Sequence, residues 1–149
     1  MTGRGVVAAG HPESAAAGAA VLRAGGNAVD AAVAAVLTSF VAEPLLTGLG
    51  SGGYLLVVPP GGEAVLLDFF IETPGRGRDL NDKAPLRAVT VDFGDATQVF
   101  HAGAASCGTY GTPAGLAAAV AGFGRAPLAE LTAPAVRLAR AGVRVTPMQ

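Results

Sequence analysis

The sequence predicts an α+β fold in which a helix pair packs on a mostly antiparallel sheet, within a single domain over residues 1–149. Two observations lead to this prediction. Helix-start signals precede two alanine-rich segments, and two apolar segments are separated only by the turn Pro59-Pro60-Gly61-Gly62. Strands joined by so short a turn must pair antiparallel, because a parallel crossover needs about a dozen residues. This excludes a βαβ unit at this point of the chain.

The first helix is predicted to open at His11-Pro12-Glu13. Proline suits the first helical position, and Glu13 complements the positive end of the helix dipole. The helix continues through Ala15–Leu22 and stops at Gly25-Gly26, where a left-handed residue can close it.

The second helix is predicted to begin after Asn27, which serves as its cap. Asp30 stands three residues on, in the position of a capping-box acceptor. The helix is apolar on almost every side from Val29 to Val41, and Pro44 ends it. This pattern is typical of a buried helix rather than a surface helix.

The strands follow the helix pair. Tyr54–Val58 is an unbroken apolar run, which predicts a strand covered on both faces, and Ala64–Phe70 is its predicted partner. Residues Glu72–Pro85 are predicted to form a charged loop. The remaining predicted elements are short strands at Ala88–Val91 and Gln98–His101, a helix at Pro113–Val120, and a helix that begins near Thr132, holds Pro134 in its first turn and ends at Ala141.

The chain carries few charges. Charged residues make up 14% of it, against about 25% in a typical globular protein. We interpret this as a chain that lies against further protein, although a coding bias towards alanine and glycine gives the same numbers. A net charge of −1 without a basic run excludes nucleic acid as a partner.

No segment predicts a membrane span or a signal peptide. The longest apolar stretch, Ala31–Ala42, is too short to cross a bilayer. Pro12 and Glu13 interrupt the apolar residues near the N-terminus. We therefore expect a cytoplasmic protein for the chain as it stands, or an exported one if a leader has been removed.

The glycine cluster from Gly48 to Gly53 does not fit a phosphate-binding loop. Such loops follow a strand and open a helix, so that backbone N–H groups and the helix dipole meet the anion. Here the cluster follows a helix and opens a strand. This order favours tight backbone packing or a backbone wall close to a substrate.

Spacing alone assembles no catalytic set and no metal site, and we expect no cofactor. His11 and His101 have no partners at metal-ligand spacing, so structural roles are expected for them. Cys107, the single cysteine, is expected to be a buried small residue because no base stands near it. Ser51 lies in Gly-Ser-Gly rather than in the strand–turn–helix elbow of a hydrolase.

Several motifs together resemble the γ-glutamyltranspeptidase family. In chain order they are Gly25-Gly26-Asn27-Ala28-Val29-Asp30-Ala31, then Glu43-Pro44, Gly48-Leu49-Gly50-Ser51-Gly52-Gly53-Tyr54, Leu67-Asp68-Phe69, and Phe123-Gly124-Arg125 with the helix that follows it. They fall in the family's order and cover nearly the whole chain.

The resemblance implies part of the αββα sandwich of an N-terminal-nucleophile hydrolase, at the start of the large subunit. Such enzymes cut their precursor into large and small subunits, and the new N-terminal threonine of the small subunit attacks an amide carbonyl with its own α-amine as base. The implied partners are a small-molecule amide substrate of glutathione type, the rest of the large subunit and the small subunit. The implied nucleophile lies beyond Gln149, so no catalytic residue is assigned and the chain alone is expected to be inactive.

One position departs from the family pattern. After Leu-Asp-Phe the family typically has an arginine that pairs with the α-carboxylate of the substrate, and here the residue is Phe70. Either Arg76 or Arg78 replaces it from the following loop, or the substrate lacks that carboxylate, as for an acylase of the same fold. The candidate substrate-binding residues are Phe70, Glu72, Arg76 and Arg78. The alternative for Phe70 is a plain core residue of the strand.

Two further expectations concern the class of protein and its self-association. A non-catalytic relative kept for binding or architecture is the alternative from a different class of protein. The second helix is apolar all round and the first strand is apolar on both faces. So short a chain cannot bury all of this apolar surface. We therefore expect exposed apolar surface and a homodimer formed through the sheet.

Overall fold

The computed structural model describes residues 5–79, 81, 84–146 and 149. Over these residues the chain forms four α-helices and two antiparallel β-hairpins. The helices are α1 (Pro12–Arg23), α2 (Ala28–Ala42), α3 (Thr112–Phe123) and α4 (Leu128–Ala141). The strands are β1 (Tyr54–Val57), β2 (Val65–Asp68), β3 (Arg87–Asp92) and β4 (Thr97–Ala102).

Contacts divide the chain into two compact units. We call Met1–Phe70 with Tyr110–Gln149 the helical unit, and Ile71–Thr109 the hairpin unit. The helical unit holds the four helices and the β1–β2 hairpin, whereas the hairpin unit holds β3 and β4. The single domain expected over residues 1–149 stays a prediction.

Helix α1 begins and ends where the sequence predicts. His11 is its N-cap, and the Nδ1 atom of His11 accepts a hydrogen bond from the backbone N–H of Glu13 at 3.2 Å. Pro12 occupies the first turn, where its missing N–H costs nothing. Gly25 follows the helix with a φ of 96°, in the left-handed region that glycine adopts without a steric penalty.

Helix α2 is tied to the loop between α3 and α4 through the buried side chain of Asp30. Asn27 and Asp30 form the capping box that the sequence predicts, with N···O distances of 2.8 and 2.9 Å. Asp30 Oδ1 also accepts hydrogen bonds from the backbone N–H groups of Arg125 at 2.9 Å and Ala126 at 3.3 Å. Asn27 Nδ2 donates to the carbonyl oxygen of Phe123 at 2.6 Å. The capping box therefore also fixes a segment more than 90 residues away along the chain.

The loop that Asp30 holds requires a glycine. A Cβ atom placed on Gly124 would lie 2.9 Å from Asp30 Oδ1 and 2.7 Å from the carbonyl oxygen of Val120. Any side chain at this position would push the carboxylate away from its donors. This contact explains why glycine follows Phe123 in the motif.

The core of the helical unit lies where α2, α3 and α4 meet. Its buried apolar cluster consists of Val29, Val33, Ala34, Leu116, Ala119 and Leu131. Eight of the 15 residues of α2 are buried, so the buried position predicted for this helix is right for most of it. None of the helices in the described part of the chain is long and apolar enough to cross a membrane.

Helix α4 starts earlier than predicted. It begins at Leu128 and not near Thr132, so that Pro134 lies in its interior rather than in its first turn. Pro127 stands just before the helix, and Glu130 in the first turn complements the positive end of its dipole. Leu131 is buried in the core, and this packing holds the first turn in helical form although Pro134 cannot donate a backbone hydrogen bond.

The β1–β2 hairpin has the predicted antiparallel pairing, with Leu56 opposite Leu66. Its inner face packs on the core through Leu55, Val57 and Leu67. Its outer face exposes Tyr54, Leu56 and Leu66. The prediction that the first strand is covered on both faces is therefore wrong for the described chain, because the helices pack on one side of the hairpin only.

In the hairpin unit, β3 and β4 pair antiparallel and are each one residue longer at both ends than predicted. The Asp92 carboxylate accepts a hydrogen bond from the N–H of Gly94 in the connecting turn, at 2.8 Å. All six side chains of β4 are exposed. Glu72 and Thr109 join the two ends of the unit by backbone N–H···O hydrogen bonds of 3.3 and 2.8 Å.

Candidate functional site

The glycine cluster is anchored to the start of α3 by a pair of hydroxyl groups. Thr112 binds the carbonyl oxygen of Ser51 twice, through its Oγ1 at 2.7 Å and its backbone N–H at 3.1 Å. Ser51 Oγ donates to the carbonyl oxygen of Gly48 at 2.5 Å and lies 3.0 Å from Thr112 Oγ1. Both hydroxyl groups are therefore engaged in fixing the backbone of the loop. Tight packing, one of the two roles favoured for the cluster, is found at Gly53 but not at Gly48 or Gly50, where a Cβ atom would meet nothing within 4 Å.

Three glycines, Gly53, Gly111 and Gly115, lie close against Phe69, and we call them the seat of Phe69. Its backbone pairs with that of Gly53 in both directions, at 3.1 and 3.3 Å. A Cβ atom on Gly53 would approach Phe69 Cε2 to 3.2 Å, and Cβ atoms on Gly111 and Gly115 would overlap Phe69 outright. The seat therefore fixes the end of β2 against α3. The sequence motifs do not mark Phe69 as a site residue, although the two glycines four residues apart, Gly111 and Gly115, are a signal of a close approach at the start of a helix.

Phe70 lies just beyond β2, and its ring stacks on the ring of Tyr54. The centroids are 5.3 Å apart and the planes differ by 8°. Both side chains are more than half exposed, Phe70 at 53% and Tyr54 at 57%. Phe70 is therefore not a core residue of this chain, contrary to the alternative interpretation of the sequence. The pair forms a flat apolar surface at the position where the resemblance implies an arginine.

The structure brings two of the predicted site residues together within the hairpin unit. Arg76 Nη2 lies 3.4 Å from Glu72 Oε2, and the two side chains are 91% and 72% exposed. An ion pair so open to solvent contributes little to stability, since water screens both charges. It leaves the Arg76 guanidinium with further donors for an anionic group.

Arg78 follows a turn built by two glycines. Its backbone N–H donates to the carbonyl oxygen of Gly75 at 3.0 Å. Gly75 and Gly77 have φ values of 100° and 79°, in the left-handed region, so that only glycine fits both positions without strain. The role of Phe70, Glu72, Arg76 and Arg78 in binding a substrate stays a prediction.

The remaining polar candidates are two histidines and a cysteine. His11 caps α1, and His101 is an exposed residue of β4. Cys107 is exposed, so the prediction of a buried cysteine is wrong. Its segment belongs to the hairpin unit, in which the side chains of β4 are exposed as well. The described residues contain no group of three His, Cys, Asp or Glu side chains that could hold a metal ion.

Comparison with known sequences identifies relatives over almost the full length of the chain. A sequence profile described as Gamma-glutamyltranspeptidase matches residues 14–149. The Acylase ACY 1 proenzyme of Pseudomonas sp. (strain SE83) is 38% identical over 149 residues, which cover 97% of this chain and 26% of the proenzyme. Glutathione hydrolase 3 of Arabidopsis thaliana is 37% identical over 143 residues, 96% of this chain and 21% of that protein. The chain thus spans about a quarter of the length of the curated relatives it matches.

Solved structures agree with the sequence matches. The crystal structure of the Helicobacter pylori gamma-glutamyltranspeptidase superposes with a TM-score of 0.71 and 31% identity, over 90% of this chain and 37% of that one. This similarity confirms the predicted fold class, an α+β chain with antiparallel strands that forms part of an N-terminal-nucleophile hydrolase fold.

Proposed function

Because the chain belongs to the γ-glutamyltranspeptidase family, we propose that it is the N-terminal part of the large subunit of an amide hydrolase or transferase. Its substrates in this proposal are γ-glutamyl amides of glutathione type. The observation that carries the proposal is the family match from residue 14 to residue 149, together with relatives whose names describe glutathione hydrolases.

In this proposal the chain supplies scaffold and one wall of the substrate site. The buried Asp30 network and the Ser51–Thr112 anchor give the scaffold a fixed backbone, on which substrate-binding groups can be held in place. The nucleophile is the N-terminal threonine of a small subunit, outside this chain, with its α-amine as the base. The rest of the large subunit and the small subunit are then the protein partners.

The test compares this chain with the complete protein in hydrolysis of a chromogenic γ-glutamyl anilide. We expect turnover from the complete protein after it has cleaved itself, and none from residues 1–149 alone. Turnover by the 149-residue chain that survives repurification would contradict the assignment of the nucleophile. A cleaved complete protein that hydrolyses no amide would favour a non-catalytic relative instead.

A second candidate function is supported by Phe70. An acylase of the same fold acts on amides whose acyl group lacks the α-carboxylate, and an apolar aromatic residue suits such a group better than a charged one. The 38% identity to a protein named as an acylase points the same way. The Arg76 or Arg78 side chain is the proposed replacement cation if the substrate is a glutamyl compound after all.

Phe70→Arg in the complete protein separates these two functions. We expect the ratio of kcat/KM for glutamyl over non-glutamyl anilides to rise about tenfold or more, because a charge-assisted hydrogen bond contributes about 1.5–3 kcal/mol. Phe93→Arg, the same change at an exposed position of the hairpin unit, is the matched control and should leave the ratio unchanged. An unchanged ratio in folded Phe70→Arg protein would remove Phe70 from the substrate site.

A homodimer of this chain through the outer face of the β1–β2 hairpin is part of the proposal. Tyr54, Leu56 and Leu66 present contiguous apolar side chains there, and such a face on a small chain favours self-association. Light scattering should show a mass that rises with concentration, and Leu56→Lys should lower it. A strictly monomeric mass without binding of an apolar dye would contradict the dimer. The cytoplasmic location stays a prediction for cell fractionation to check.

A further inference from the structure

A second binding feature lies behind the glycine loop, wholly within the helical unit. It is a cavity of about 160 Å³. Its apolar wall is formed by Val33, Val36 and Phe40 of α2, Leu116 of α3, and Phe69. A protein cavity of about 150 Å³ with apolar walls is large enough to hold a benzene ring. The volume therefore matches a single six-membered ring.

The chemistry of the wall selects against charged and strongly polar ligands. None of the described residues that line the cavity carries a charge. Two of its four hydroxyl groups, those of Ser51 and Thr112, already donate to backbone carbonyl oxygens and lie 3.0 Å apart. The hydroxyl groups of Thr47 and of Tyr54, a residue that is more than half exposed, are the others among the described lining side chains. With an uncharged and mostly apolar lining, the cavity favours an apolar occupant over an ion.

The lining of the cavity includes exposed side chains, one of which contacts Phe70. Val36 is 37% exposed, and Tyr54, which also lines the cavity, stacks on Phe70 at the surface. A ring that enters beside Tyr54 would leave the rest of its molecule next to the aromatic pair. The seat of glycines around Phe69 fixes this wall, because neither Gly111 nor Gly115 leaves room for the ring of Phe69 to move towards α3.

We infer that this cavity binds the ring-sized apolar part of the acyl group of an amide substrate, such as a phenyl or cyclohexyl ring. The assignment to an acyl group rests on the proposed function, but binding of the ring itself does not. The inference gives the substrate class that the apolar Phe70 leaves open. It also predicts that the site discriminates by the bulk of the acyl group and not by its charge.

Ring binding is tested on this chain by titration with toluene, followed by NMR of ¹³C-labelled valine and leucine methyl groups. We expect the methyl signals of Val33 and Leu116 to shift and to saturate. Val36→Phe and Ala32→Leu enlarge two lining side chains and should each weaken the binding about tenfold or more. Val41→Phe makes the same valine-to-phenylalanine change on α2 away from the cavity, and it should bind as the unchanged chain does. Shifts that never saturate, or that survive both lining variants, would overturn the inference.

The acyl assignment is tested in the complete protein with phenylacetyl and acetyl anilides. We expect Val36→Phe to lower kcat/KM for the phenylacetyl anilide about tenfold more than for the acetyl anilide. An equal loss for both would overturn the assignment. A complete protein that turns over neither compound nor a γ-glutamyl anilide would contradict the proposed function, whereas the toluene titration would still decide whether the cavity binds a ring.

Discussion

The helical unit and the hairpin unit use the same residue type in opposite ways. In the helical unit, the Asp30 carboxylate is fully buried and accepts hydrogen bonds from three backbone N–H groups, two of them distant in sequence. In the hairpin unit, the exposed Asp92 carboxylate is bonded to Gly94, two residues away. An aspartate that satisfies buried donors is worth far more than one that competes with water for an exposed donor. Burial, and not the hydrogen bond itself, therefore sets how much such a contact contributes to the free energy of unfolding.

Truncation of each aspartate should give the largest difference in stability between the two units. We expect Asp30→Ala to lower the free energy of unfolding by about 3–5 kcal/mol, since each buried donor left without a partner costs about 1–3 kcal/mol. Asp92→Ala should cost less than about 1 kcal/mol, because water replaces the carboxylate at an exposed turn. Urea unfolding followed by circular dichroism measures both values. Equal losses would show that the two units do not differ in this respect.

Two glycine substitutions within α3 should change the stability of the helical unit in opposite directions. Gly115→Ala should lower the free energy of unfolding by about 1–3 kcal/mol, because its Cβ atom would overlap the partly buried ring of Phe69. Gly122→Ala meets no neighbouring atom within 4 Å, and it should raise stability by up to about 1 kcal/mol through helix propensity. Thermal or urea unfolding of the two variants checks the opposite signs. A stabilised Gly115→Ala chain would mean that Phe69 is not held by this seat.

The smallest effect is expected in the hairpin unit, at the exposed ion pair. Arg76→Ala and Glu72→Gln, alone and together, should give a coupling energy within about 0.5 kcal/mol, because solvent screens two such exposed charges. The measurement is a double-mutant cycle in urea, repeated at high salt, where the coupling should vanish. A coupling above about 1 kcal/mol would show that the pair is more shielded than its exposure implies.

Local signals in the sequence predicted the local structure well. The Asn27–Asp30 capping box and the turn at Pro59–Gly62 follow from residue types at fixed spacing, and the structure confirms both. The three-residue spacing of a capping box carries no information about a hydrogen-bond partner more than 90 positions away in the chain. The bonds from Asp30 to Arg125 and Ala126 were therefore out of reach of the sequence.

The errors arose where tertiary contacts outweigh local signals. The sequence predicts Pro134 in the first turn of its helix, but burial of Leu131 extends α4 by a full turn before it. The residue type predicts a buried Cys107, but the hairpin unit has no α-helix among its described residues to cover it. For the candidate site, the departure at Phe70 could be read directly. The seat of Phe69 could not, because it depends on how β2 and α3 meet in space.

The backbone bonds between Glu72 and Thr109 have a consequence for how this chain can vary in length. They join the two points where the chain enters and leaves the hairpin unit, and we call this pair of bonds the neck. In sequence, the hairpin unit is therefore a closed insertion between the two segments of the helical unit, which we call the branch. Closing a flexible loop costs only about 0.6 kcal/mol more for each doubling of its length. The branch could therefore be trimmed to a tight turn, or extended by an inserted segment, with little thermodynamic effect on the helices. The neck makes this position suitable for grafting a reporter domain.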